Sequence, residues 1–195
     1  MYDIMSVEDY LNKFFNKLKG RELTISEFYS IEPLDTIVTR GLLNRVFRKA
    51  RRRYDKYIAK YERRTGKKAE KSLKENLSYG FLKKVFLEEV LKIILGKYGI
   101  TGGNVVNYMA FGGRIMKFAE KNRETSLMKM IKGEIQYRTL RFGLDEKLLK
   151  MIALASVKAT KYAQKHFTDI ILEEEKEEKK EEEKEEAKKP YSLLS

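Results

Sequence analysis

Thirteen lysines and arginines lie between residues 40 and 68: Arg40, Arg45, Arg48, Lys49, Arg51, Arg52, Arg53, Lys56, Lys60, Arg63, Arg64, Lys67 and Lys68. Only Asp55 and Glu62 oppose them. Side chains of this kind, spaced over seven helical turns, do one sort of chemistry well. They neutralise a polyanion by ionic and hydrogen-bonded contact, which positions a partner without reading its sequence. A helix of about 25 residues is roughly 37 Å long, and duplex nucleic acid carries one phosphate charge per ~1.7 Å of axis, so such a helix lies beside roughly 22 charges. Residues 40 to 74, with fifteen cations against Asp55, Glu62 and Glu70, neutralise about half of them. Two such helices from a dimer match nearly all. Double-stranded DNA, bound without regard to sequence, is the expected partner.

Two other readings of the segment compete. Charge runs are commonly solvated faces, but fifteen cations against three anions repel one another unless paired. A basic amphipathic helix also suits an anionic membrane surface. Its apolar stripe is rich in Tyr and Ala, where lipid insertion favours Leu, Phe and Trp.

Catalytic chemistry finds little support. The single histidine, His166, stands near Asp169 with no set of acids or histidines at metal-ligand spacing. No cysteine is present, which excludes disulfides, zinc ribbons and a thiol nucleophile. The glycine-rich YGITGGN at 98–104 lacks the lysine–serine pair and the preceding strand of a phosphate-binding loop, and reads as a turn between helices. No cofactor and no enzymatic activity are expected.

The elements that must hold the cations are helical. Apolar residues recur at three and four along almost the whole chain of 195 residues, and Pro33 and Pro190 are its only prolines. The N-terminus has no apolar run of the secretory kind, and the longest uncharged stretch, 98–113, is broken by glycines and asparagines. The abundance of Lys, Glu and Arg fits a protein from a hot environment.

The pattern predicts a helix over 7–19 and a short piece around 26–30, followed by a long helix from Leu34 to Arg64. The stripe of that helix is Leu43, Val46, Phe47, Ala50, Tyr54, Tyr57, Ile58 and Tyr61, flanked by its charges, and Thr65-Gly66 ends it. A largely apolar helix over 72–97, with a narrow polar strip through Lys84, Glu88 and Lys92, is expected at the centre of the core. Next comes a helix capped by Asn104, with Gly112 placed for close backbone approach. Another opens at Thr125 or Ser126, with Met128, Ile131, Ile135 and Phe142 inward, and closes at Gly143. A last helix begins at Asp145 with Leu148, Ile152, Ala155, Ala159, Tyr162 and Phe167 in register.

The expected architecture is all-α. It comprises an N-terminal basic helical arm (1–71), a four-helix bundle (72–172) and a charged helical tail (173–195). The tail holds ten Glu and six Lys between 173 and 189, so its net charge is −4 within a chain of formal charge +13. Glu and Lys four apart can hold a solvated helix that buries nothing.

The stretch Tyr98, Gly99, Ile100, Thr101, Gly102, Asn104, then Tyr108 and Phe111-Gly112, resembles the major capsid proteins of rod-shaped and filamentous archaeal viruses, the rudiviruses and lipothrixviruses. The resemblance extends over 95–172. Gly103 stands where the rudivirus pattern has proline, and the long basic arm and Glu/Lys tail are nearer to the enveloped lipothrixvirus branch. The resemblance implies a helical bundle on the outside of a filamentous virion, assembled in the host cytoplasm. N-terminal helices would wrap linear double-stranded DNA and hold it in the A form. It also implies a partner subunit, either a paralogous second capsid protein in a heterodimer or a second copy of this chain, with neighbouring subunits in the filament and a possible lipid envelope. A chromatin-like or regulatory DNA-binding protein of an archaeon is the alternative that the charge pattern leaves open.

Overall fold

A computed structural model of the protein describes residues 38–122, 124–172 and 183–188. Five long helices make up the folded part: α1 (Arg40–Thr65), α2 (Lys71–Lys97), α3 (Gly103–Lys121), α4 (Glu124–Phe142) and α5 (Glu146–His166). No strand occurs among the described residues, and the all-α class expected from the sequence is the one observed. The predicted helices over 7–19 and 26–30 lie outside the described residues, as does Leu34.

Several helix boundaries have a local cause. Val38 and Thr39 are not helical, so α1 begins at Arg40, six residues after the predicted start. The Thr39 hydroxyl accepts from the Leu42 N–H at 3.1 Å and so caps the helix where the chain enters it. Gly66 closes α1 in the left-handed conformation at φ 67°, its N–H donating to the Glu62 carbonyl. Asn104 does not cap α3. Gly102 takes that position at φ 74°, a backbone that a side chain would strain, and Asn104 falls exposed in the first turn. Gly143, at φ 63°, ends α4, and the Asp145 carboxylate caps α5 by accepting from the Lys147 and Leu148 N–H groups.

Helices α2 to α5 form the four-helix bundle, and α5 is its axis. Thirteen of its side chains are buried, including Ser156 and Thr160, whose hydroxyls donate to the carbonyls of Ile152 and Ser156 one turn back. α5 touches α2, α3 and α4, while α2 also carries α1 on its other side, so the central place expected for α2 is shared between the two. Gly112 lets α3 approach both. A Cβ built there meets Leu91 Cδ1 at 2.5 Å, Ser156 Oγ at 3.1 Å and Ile152 Cγ2 at 3.3 Å.

One expected core residue is misplaced by the sequence pattern. Met128, Ile131 and Ile135 are buried, but Phe142 is 45% exposed. The chain reverses at Gly143 and Leu144 fills the core instead. Phe142 rests edge-on against Tyr137 and beneath the Arg138 guanidinium.

The boundary drawn at residue 71 separates α1 from α2 in sequence, and in space the two pack against each other. Leu42, Val46, Ala50 and Tyr54 enter the same hydrophobic core as the bundle. Phe47, Phe86 and Phe167 form an edge-to-face set with centroids 5.5–5.8 Å apart, tying α1, α2 and the end of α5 together. Just beyond, the Leu172 N–H donates to Ser78 Oγ, returning the chain to the start of α2. Residues 183–188 are helical and fully solvated, as expected for that part of the tail.

Candidate nucleic-acid interface

The basic residues inherit their geometry from the way α1 packs. Lys49 pairs with Glu89 and Tyr57 meets Phe81, so α1 and α2 run antiparallel. The buried stripe is Leu42, Val46, Ala50 and Tyr54, a row with one residue every four. On the opposite side runs a second row at the same spacing: Arg48, Arg52, Lys56 and Lys60. All four are exposed, and none makes an ion pair among the described residues. At 1.5 Å per residue the row is about 18 Å long, and the exposed Arg63 extends it to about 22 Å.

Not all thirteen predicted cations face outward. Lys49 Nζ lies 2.6 Å from Glu89 Oε1, Arg45 Nε 3.9 Å from Glu89 Oε2, and Arg53 Nη2 2.8 Å from Glu88 Oε2. Arg51 is half-buried. Arg40, Arg64, Lys67 and Lys68 are exposed at the two ends of α1 and in the turn after it. The sequence had the charges flanking the apolar stripe throughout. In the structure they divide: one flank is drawn onto α2 by its glutamates, and the remainder sits opposite the stripe.

Glu88 and Glu89 are the residues that sequence reasoning missed as part of the site. The signal was an acidic pair in the most apolar part of α2, facing a helix with Lys49 and Arg53 one turn apart. The Glu89 side chain is almost wholly buried. Burial by itself pushes its carboxyl up, but the hydrogen bond from Lys49 and the charges of Lys92 and Lys49 outweigh that, so it titrates below the ordinary glutamate value. The hydrogen bond that Arg53 donates to the Glu88 carboxylate raises its guanidinium above the ordinary arginine value. Both contacts hold the inner flank of α1 and leave the outer row without an ion-pair partner among the described residues.

No family model matches the chain, and neither a curated protein nor a solved structure does. The chemistry must therefore be read from the side chains themselves. Among the described residues no cluster of His, Asp or Glu could hold a metal ion, and no helix is long and apolar enough to cross a membrane. His166 is an exposed residue at the end of α5 whose ring rests on Tyr162, centroids 4.4 Å apart. Gly99 and Gly102 both have positive φ, which the turn between α2 and α3 requires. The outer row of α1 is the one extended array of like charge on these helices whose members lack partners among the described residues.

Proposed function

We propose that this chain coats linear double-stranded DNA without sequence preference, as the major capsid protein of a filamentous archaeal virus. The observation that carries the nucleic-acid part is the row Arg48, Arg52, Lys56 and Lys60, solvent-facing along α1 while the opposite side of the helix is anchored in the core. A row of point charges about 6 Å apart, on a helix too well packed to bend toward individual bases, favours phosphate contact over base reading. The resemblance of residues 98–112 to capsid proteins of rudiviruses and lipothrixviruses supports the assembly part, with a paralogous subunit or a second copy completing the neutralisation. The role is structural, without catalysis. Packing α1 and its neighbours over the duplex would exclude water from it, which favours the A form.

The test is negative-stain microscopy of the protein with and without linear duplex DNA, at low and high salt, with circular dichroism of the DNA. Filaments of uniform width that dissolve at high salt, with an A-form spectrum, are the expected result. Discrete complexes with a sequence preference would instead support a regulatory protein, and the absence of binding at low salt would exclude both.

A further inference from the structure

Helix α4 carries apolar side chains on more than its inner face. Leu140 is 78% exposed and Tyr137 is 49% exposed. On one flank, Glu134 accepts from Arg114 of α3 at 2.7 Å and from Arg138 at 3.4 Å, which closes that side. The other flank stays open. There Ile135, Thr139 and Leu140 face Glu146 and Lys150 of α5 across a groove of about 440 Å³. The Thr139 hydroxyl is buried and has no hydrogen-bond partner among the described residues, and the groove, whose lining surface is mostly apolar, is edged by Lys132, Gln136, Glu146 and Lys150. A cavity of about 150 Å³ takes one ring-sized apolar group, so this groove has room for on the order of three.

The chain itself contains a segment of matching chemistry. Between 173 and 189 it offers no apolar side chain except Ala187, and then follows Pro-Tyr-Ser-Leu-Leu-Ser at 190–195. The described part of the tail, 183–188, is a helix exposed at every residue, so nothing there fastens it to its own bundle. Leu172 is held at Ser78, at the far end of α5 from the groove. Seventeen residues separate Leu172 from Pro190, and even at the 1.5 Å per residue of a helix that length of chain reaches about 26 Å.

We propose that Tyr191, Leu193 and Leu194 of one copy dock in the α4–α5 groove of a neighbouring copy, making the Glu/Lys tail a tether between successive subunits. The contact joins two different surfaces, so it propagates from copy to copy instead of closing into a pair. This rests on the filament reading above and adds to it the surface by which subunits are linked.

The test is sedimentation velocity without nucleic acid over a range of concentrations, on the full chain, on Leu140→Glu, and on a chain ending at Lys189. Duplex affinity is measured in parallel. Self-association of the full chain, weakened at least tenfold in each variant, is expected. An equal mixture of the two variants should regain pairing, because one supplies the groove and the other the segment. A labelled peptide of residues 184–195 should bind the truncated chain and lose at least tenfold toward Leu140→Glu. A full chain that stays monomeric, variants that associate unchanged, a mixture that does not pair, or a peptide that prefers anionic vesicles to the protein would each overturn the proposal. Failure of the DNA reading appears separately, as absence of duplex binding by the full chain.

Discussion

Lys49 and Glu89, forty positions apart in sequence, meet at 2.6 Å between α1 and α2, and this contact fixes which side of α1 turns outward. With Arg53 on Glu88 one turn further along, it pins one flank of the helix while the apolar stripe pins the adjacent face. Four cations are left on the outside at a regular interval. An electrostatic clamp thus sets the orientation of an electrostatic surface.

Removing the outer row should affect binding and leave the fold alone. Each phosphate contact contributes about −0.9 to the slope of log K against log salt, so the combined Arg48→Ala, Arg52→Ala, Lys56→Ala and Lys60→Ala variant should flatten that slope by about 3–4. Its melting temperature should match that of the parent, because exposed side chains without partners contribute little to stability. Fluorescence anisotropy with a duplex at several salt concentrations checks the first point, and thermal denaturation the second.

The Glu89 clamp predicts the opposite pattern. Glu89→Gln should lower stability by about 1–2 kcal/mol, since the charged acceptor of Lys49 is lost while that cation stays partly solvated. The carboxyl titrates below its unfolded value, so its contribution is complete above the ordinary glutamate range and disappears as the pH falls through the depressed value. The parent should therefore lose stability on acidification more steeply than Glu89→Gln. Chemical denaturation at neutral and acid pH measures both slopes.

Gly112 should tolerate no bulk. Alanine gains about 1 kcal/mol of helix propensity there, but over-packing against Leu91, Ser156 and Ile152 costs about 1–3 kcal/mol, so a small net loss is expected. Leucine at the same place should prevent the native association of α3 with α5. Circular dichroism melts and the dispersion of methyl NMR signals separate these outcomes.

The proposed indifference to sequence is itself measurable. Competition between duplexes of equal length and different base composition should give affinities within about threefold of one another, because phosphate contacts carry no sequence information. A preference of a hundredfold for one duplex would point to base contacts that the exposed row does not supply.

Most of the helical framework was legible because its signals are local. Thr65-Gly66, Gly143 and Asp145 mark helix ends through backbone conformation and capping, which depend on few neighbours. The close approach at Gly112 could be read because an unsubstituted position on an apolar helix face has few other uses. The division of the cations could not be read, since it depends on where Glu88 and Glu89 of another helix lie. Phe142 was misassigned for a similar reason: helical periodicity placed it inward, but the tertiary position of the following turn gave that place to Leu144. The start of α1 was missed because a threonine hydroxyl competes with helix continuation only where the chain bends away.

The buried stripe and the outer cations of α1 both advance four residues at a time, and that interval exceeds one helical turn by about 40°. Each line is therefore a slow spiral about the helix, and the two spirals keep in step on opposite sides. α2 follows the first and must cross α1 obliquely. Whatever follows the second crosses obliquely as well, so the heading of the bundle and the heading of a polymer laid along the cations would be geared together through a single helix. Subunits laid along one strand of phosphates would consequently all lean the same way, and a change in the pitch of that strand would be felt as a tilt of every bundle.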